Sequence, residues 1–481
     1  MTDVTVVGAG PNGLAAAVTM ARAGLSVRVV EAATTAGGGS RTRELMQPGH
    51  LHDVCSAVHP MALAAPFFRS FGLAQRIRFA VPDASYAQPL DGGRAAVAYR
   101  SLERTVQELG ADGAAFGALL RPLTQHSDAI TELLMNPLLS LPREPLAALR
   151  FGLAALEQGS PAWNRRFTGD AAPALLTGVM AHPVGHLPSL PSAGGGLLLA
   201  LLAHTVGWPI PEGGSQAIAD ALVEDLRRHG GELETGHRVD SLDEVSDSRA
   251  VLLDTAPAGL LRLAGDRLPS RYTKRLESFR YGNAACKVDY ILSGPVPWAN
   301  PAVASAGTVH LGGTRAETAA AEAEVAAGRH PERPYVLLSQ PSGFDSSRAP
   351  AGRHILWTYA HVPAGSEQDM TDAVSAQIER FAPGFRDLIL ESQATTAAGL
   401  AAYNENYVGG DFGAGAVTLG QMIRRPVASP TPWATPLPGV FLCSASTPPG
   451  PGVHGMGGYH AASVALRQVF GLPLPDLDPD H

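Results

Sequence analysis

Gly8-Ala9-Gly10-Pro11-Asn12-Gly13 has the residue types and spacing to hold an anion. Gly8 permits a tight turn and Gly10 lets the backbone approach a pyrophosphate. Gly13 lets the following helix pack closely, so that its N-terminus faces the charge. Glu31, followed by Ala32, stands about 20 residues downstream, where an acid can hold ribose hydroxyls and disfavours a 2′-phosphate. Gly37-Gly38-Gly39-Ser40-Arg41-Thr42 then joins flexible backbone to a guanidinium fork, both suited to phosphate oxygens. Far downstream, the glycine-rich stretch from Pro448 to Gly458 feeds a helix. Its N–H groups around Gly455 and Met456 suit a place where negative charge grows. His454 lies beside that turn and is the candidate catalytic group, able to tune or protonate there; the alternative is that it braces the turn.

These residues need particular elements around them. Val4-Thr5-Val6-Val7 reads as a strand, Leu14 to Ala23 as a helix ended by Gly24, and Val27 to Val30 as a second strand closed by Glu31. In a chain with 53 glycines an isolated glycine pattern means little. Strand, helix and acid in register describe a dinucleotide-binding unit, which could hold NAD as well as FAD. After Pro60 a long helical stretch is expected to about His204, forming a substrate lobe. Within it, Leu133 to Leu139 and Leu146 to Leu156 are unusually apolar, compatible with a greasy substrate tunnel, a membrane-dipping face or ordinary helix packing. Ser215 can cap a helix over 216–228, where the chain returns to the nucleotide lobe. From about Tyr281 alternating segments predict an antiparallel sheet, on which Lys287, His310, Tyr359 and His361 either line a cavity or are satisfied sheet residues.

Composition narrows the function classes. The chain has 481 residues, 45% hydrophobic and 17% charged, which describes an ordered protein of two or three lobes. The net charge of −8 and the lack of any basic block argue against nucleic acid as a partner. Cys55, Cys286 and Cys443 are far apart, with no Cys-x-x-Cys pair for a redox disulfide or half a metal site, so no metal is expected and a reducing, cytoplasmic setting fits. Only Met1, Thr2 and Asp3 precede the first strand, leaving no room for a signal peptide. The longest aliphatic run, Leu197 to Ala203, is short of the ~20 residues of a spanning helix.

Glu31, the paired glycines Gly38 and Gly39, and Arg41-Thr42 resemble the second flavin clamp of the amine oxidase and phytoene desaturase superfamily, where the arginine meets the pyrophosphate. The C-terminal turn at Gly455-Met456 is similar to the flavin motif of the same proteins. The resemblance covers nearly the whole chain and is closest to bacterial phytoene-dehydrogenase-related proteins. It implies FAD as cofactor and an α/β fold: a Rossmann-like FAD-binding domain from residues 1–60, 205–280 and 405–481, with an α+β substrate domain, antiparallel sheet plus helices, from 61–204 and 281–404. It places Val239 against the adenine. Many relatives carry glycine and an acid where this chain has Ser444-Ala445-Ser446, so Ser446 or a backbone group would make the ribityl contact. Such proteins often bear a pyridine nucleotide-disulphide oxidoreductase label, whose paired cysteines and second glycine fingerprint this sequence lacks.

The implied activity is hydride removal from a hydrophobic, isoprenoid or lipid-like substrate, with oxygen or a quinone as electron acceptor. Two alternatives stay open. One is an amine oxidase, which needs an aromatic cage, although Tyr459 is the one aromatic that can be placed near the flavin turn. The other is a non-catalytic lipid-binding or escort-type protein. Peripheral membrane contact and a homodimer are both compatible with the sequence.

Overall fold

The computed structural model describes residues 2–478. Val4–Val7 is the central strand of a five-stranded parallel sheet. The order is Val440–Leu442, Ala250–Leu253, Val4–Val7, Val27–Glu31 and Glu232–Thr235. All four residues of Val4–Val7 are buried, because a parallel strand is covered on both faces and reads as a continuous apolar run. The helix Pro11–Arg22 starts with proline at its first turn, where no N–H is needed, and Gly24 closes it at φ 82°. Arg22 at its end pairs with the buried Asp225 of the helix Gln216–Arg228 at 2.7 Å, tying two helices of this lobe together.

The second lobe is built on a seven-stranded sheet. Its order is Ile389–Thr395, Ala284–Leu292, His354–Val362, Val336–Ser339, Ala306–Leu311, Ala84–Leu90 and Arg94–Tyr99. All pairs are antiparallel except Ala306–Leu311 with Ala84–Leu90. The last two strands correct the expectation of a long helical stretch to about His204. Their alanine content hides the strand pattern, but Asp91-Gly92-Gly93 turns the hairpin with both glycines at positive φ.

Side chains alternate across this sheet, and its two faces differ in kind. Val288, Tyr290, Leu338, Leu356 and Ala360 pack with Val374, Ile378 and Phe381 of the helix Thr371–Phe381. Lys287, Asp289, Trp357, Tyr359, His361, Leu337 and His310 alternate with these in the same strands and line the opposite face.

The helix Pro145–Gln158 buries Ala147, Phe151 and Ala154 and turns Leu146, Leu149, Leu153 and Leu156 outward. These leucines therefore line no tunnel. Among the described residues no helix is long and apolar enough to cross a membrane, no cluster of three or more metal-ligating side chains occurs, and all three cysteines are free.

Candidate functional site

The two glycine stretches near the N-terminus meet. Gly37 donates its N–H to the Ala9 carbonyl at 2.8 Å, and a Cβ on Gly38 would stand 3.0 Å from the Cα of Gly10. Glu31 ends its strand beside this junction and accepts the Ala9 N–H at 2.7 Å and the Ala33 N–H at 2.9 Å. Arg41 donates to Glu31 at 3.0 Å, to the Thr35 carbonyl and to the Tyr403 hydroxyl. Buried among acceptors in this way, the guanidinium is held in one orientation. Ala32 is exposed at the rim. Pro11 opens the helix, and the buried Asn12 Oδ1 has no hydrogen-bond partner among the described residues.

The C-terminal turn packs onto the same place. A Cβ on Gly457 would lie 2.8 Å from the Cys443 carbonyl oxygen, 3.1 Å from that of Ser444 and 3.3 Å from Asn12 Oδ1. Gly455, at φ 68°, caps the helix Met456–Ala465. His454 is buried with both ring nitrogens used: Nδ1 accepts the Met456 N–H at 3.0 Å, and Nε2 donates to the Gly450 carbonyl at 3.1 Å. Burial pulls its pKa down to about 4, so the ring is neutral and braces the turn.

The remaining sequence-derived residues take supporting places. Ser446 donates to the Ala414 carbonyl at 2.7 Å. Thr42 donates to Asp53 at 2.6 Å and accepts the Gln216 N–H, shaping the clamp from behind. Burial pushes Asp53 up, but the paired Arg348, Thr42 and the Ser215 N–H more than reverse this and keep its carboxyl below the usual range. Val239 is buried with Val7, Val30 and Leu242, and its carbonyl accepts from Arg262 at 3.3 Å.

Together the glycine turn, Glu31, Arg41, the unpartnered Asn12 oxygen and the braced helix end fit the FAD that the sequence implies. Anion-seeking N–H groups, a ribose-type acid and a phosphate-type arginine converge on one surface.

Beyond the clamp lies a set of side chains that sequence reasoning grouped poorly. Tyr407 places its hydroxyl against Gly39, and Cys55 stands behind the same glycine. Tyr407 is buried in a cluster with Trp357, Tyr359 and Tyr335, against which the half-buried Cys55, Tyr403 and Phe412 pack, and Tyr359 lies 5.3 Å from Trp357 and 5.4 Å from Phe412, ring centre to ring centre. Tyr359 also stacks on His361, whose Nδ1 donates to Glu322 at 2.7 Å. His361 Nε2, Glu322 Oε2 and Trp357 Nε1 are buried with no partner among the described residues. Lys287 is ion-paired with Asp289 two residues along its strand. His310 contacts His182 at 2.9 Å, and burial holds both rings neutral, His182 at about 3. Strand alternation was the signal for Lys287, Tyr359 and His361; nothing local announced that Tyr403, Tyr407 and Phe412 join them from over 40 residues away.

The chain matches the family described as flavin containing amine oxidoreductase over residues 12–462. It is 25% identical to a rat protein, pyridine nucleotide-disulfide oxidoreductase domain-containing protein 2, covering 97% of this chain and 94% of the relative. It is 26% identical to an uncharacterised protein of Mycobacterium tuberculosis, covering 96% and 97%. Among solved structures, a putrescine oxidase double mutant superimposes with a TM-score of 0.62 at 16% identity, over 98% of this chain and 99% of the other. Cyclohexylamine oxidase from Brevibacterium oxydans gives 0.57 at 16% identity, over 96% and 98%. At such identities the structures share the fold.

Proposed function

The chain belongs to the flavin-containing amine oxidoreductase family and uses FAD, and from that premise we propose that it oxidises a hydrophobic amine at the carbon next to its nitrogen. The observation that carries this reading is the cluster of Trp357, Tyr359 and Phe412, with His361 stacked on Tyr359, which reaches the clamp at Gly39 through Tyr407 and Cys55. Aromatic walls suit an apolar amine and its cationic product, each cation–ring contact contributing roughly 0.5–2 kcal/mol. The Lys287–Asp289 pair adds no net charge there.

FAD supplies the hydride acceptor. Hydride loss from a C–H bond is favoured when the adjacent nitrogen has a free lone pair, so the substrate ammonium must first give up a proton. His361 is suited to take that proton, because its Nδ1–H is spent on Glu322 and Nε2 is left as a bare acceptor. Oxygen or a quinone then removes the electrons.

The test is anaerobic loss of the oxidised-flavin absorbance with hydrophobic amines, micellar isoprenoids and fatty acyl compounds in separate cuvettes. Bleaching by amines is expected, and bleaching by the other classes alone would overturn the amine reading. His361→Asn should lower kcat/KM by about 10²–10³ at neutral pH and by less at high pH, where the free amine is already present. A second reading, an isoprenoid or lipid-like substrate, is favoured by the outward leucines of Pro145–Gln158, which would hold the protein at a lipid surface. The same cuvettes decide between them.

A further inference from the structure

Gly8 stands between two carboxylates. The sheet register pairs Val7 with Val30 on one side and with Leu253 on the other, so the next residues, Glu31 and Asp254, flank the glycine turn. Glu31 is ion-paired with Arg41. Asp254 is buried, its Oδ2 accepts the Gly13 N–H at 3.0 Å, and none of the groups acting on it is a cation. The turn is built closely around this side chain. A Cβ on Gly10 would stand 2.6 Å from Asp254 Oδ2, one on Gly13 3.0 Å from Asp254 Cβ, and one on Gly8 3.1 Å from the same atom. The backbone holds it there: Asp254 donates its N–H to the Val7 carbonyl at 2.8 Å, and its own carbonyl accepts from Asn406 at 3.0 Å.

A carboxylate without a cation, on the turn that receives a diphosphate, is an electrostatic conflict. Two like charges brought together away from bulk water repel each other. We propose that Asp254 is a proton-dependent gate on cofactor retention: protonated, it is a neutral hydrogen-bonding neighbour of the bound diphosphate, and ionised, it drives the cofactor off. The groups facing it are Glu31 from the second strand, Cys443 at the end of Val440–Leu442, and the N–H groups of Gly10 and Gly13 from the first turn. Burial first, then the Glu31 charge, pushes its pKa up to about 7, although the two N–H groups oppose this. The proton therefore comes off close to neutral pH. The diphosphate keeps its charge throughout that range, so proton uptake by the protein is the linked event.

The experiment is FAD binding to flavin-stripped protein, followed by flavin fluorescence from pH 6 to pH 8.5. The gate predicts that Kd rises about thirtyfold across this range, approaching tenfold per pH unit above about 7. Asp254→Asn should flatten the dependence and bind at least as tightly as the parent at pH 8. Asp254→Ser should behave likewise and serves if the amide does not fold. A second readout is the melting temperature of the flavin-free protein. Because the folded state holds a proton that the unfolded chain releases between about pH 4 and pH 7, stability falls as pH rises through that window, and Asp254→Asn should remove that component. An unchanged Kd across the range, or the same slope in parent and Asp254→Asn, would overturn the gate while leaving FAD as the cofactor. No binding by either protein at any pH would overturn both.

Discussion

Arg41 does three things with one guanidinium: it ion-pairs with Glu31, anchors the Thr35 carbonyl and meets Tyr403. Arg41→Ala leaves Glu31 buried without its counter-charge, at a cost of about 3–5 kcal/mol, and removes the proposed phosphate contact. We expect a lower melting temperature and protein that elutes from gel filtration without bound flavin; full flavin content would show that the arginine serves only the fold. His454 makes the opposite kind of prediction. Held neutral, with a pKa of about 4, it does not titrate near neutrality. The pH profile of kcat/KM for His454→Asn should keep any limb that the parent shows between pH 6 and 8. Losing its hydrogen bond to the Met456 N–H should cost on the order of 1 kcal/mol in a thermal melt.

At the scale of elements, the helices Pro11–Arg22 and Met456–Ala465 cross closely enough that a Cβ on Gly458 would overlap the carbonyl of Asn12. Gly458→Ala should destabilise by roughly 1–3 kcal/mol or more and reduce flavin content, since both helix ends border the proposed flavin cradle. Gly152→Ala, in a helix where nothing approaches, should instead stabilise by about 0.5–1 kcal/mol. Melting curves of the two variants, measured together, check both signs. The contrast also shows what was legible in the sequence. The first strand, turn and helix, with Glu31 and Arg41, could be read because all their constraints are local. The hairpin Ala84–Tyr99 could not, because its strands are alanine-rich and take their partner from Ala306–Leu311, over 200 residues away. Asp254 escaped notice for the same reason: only strand pairing sets it beside Gly8. The exposed leucines of Pro145–Gln158 were visible as leucines, but which way they point depends on the helices beneath.

The whole molecule keeps several histidines buried and uncharged. Burial lowers His59, His204 and His454 to about 4 and His182 to about 3. Below pH 6.5 the unfolded chain takes up protons at these positions and the folded chain does not, until about pH 4. Each therefore subtracts up to about 1.4 kcal/mol per pH unit as pH falls through that window. Melting temperature should drop steadily from pH 6.5 to 4.5, and a flat profile would mean that the rings are charged in the fold. The order of the five-stranded sheet has one more consequence, for synthesis on the ribosome. Val4–Val7 and Val27–Glu31 emerge first, but Ala250–Leu253 and Val440–Leu442 follow more than 200 and 400 residues later. At bacterial or eukaryotic elongation rates the nascent chain holds an open, apolar strand edge for on the order of tens of seconds. The cofactor cradle can close only when the last strand and helix arrive, so truncated or stalled chains should be chaperone clients, and flavin should be acquired after release.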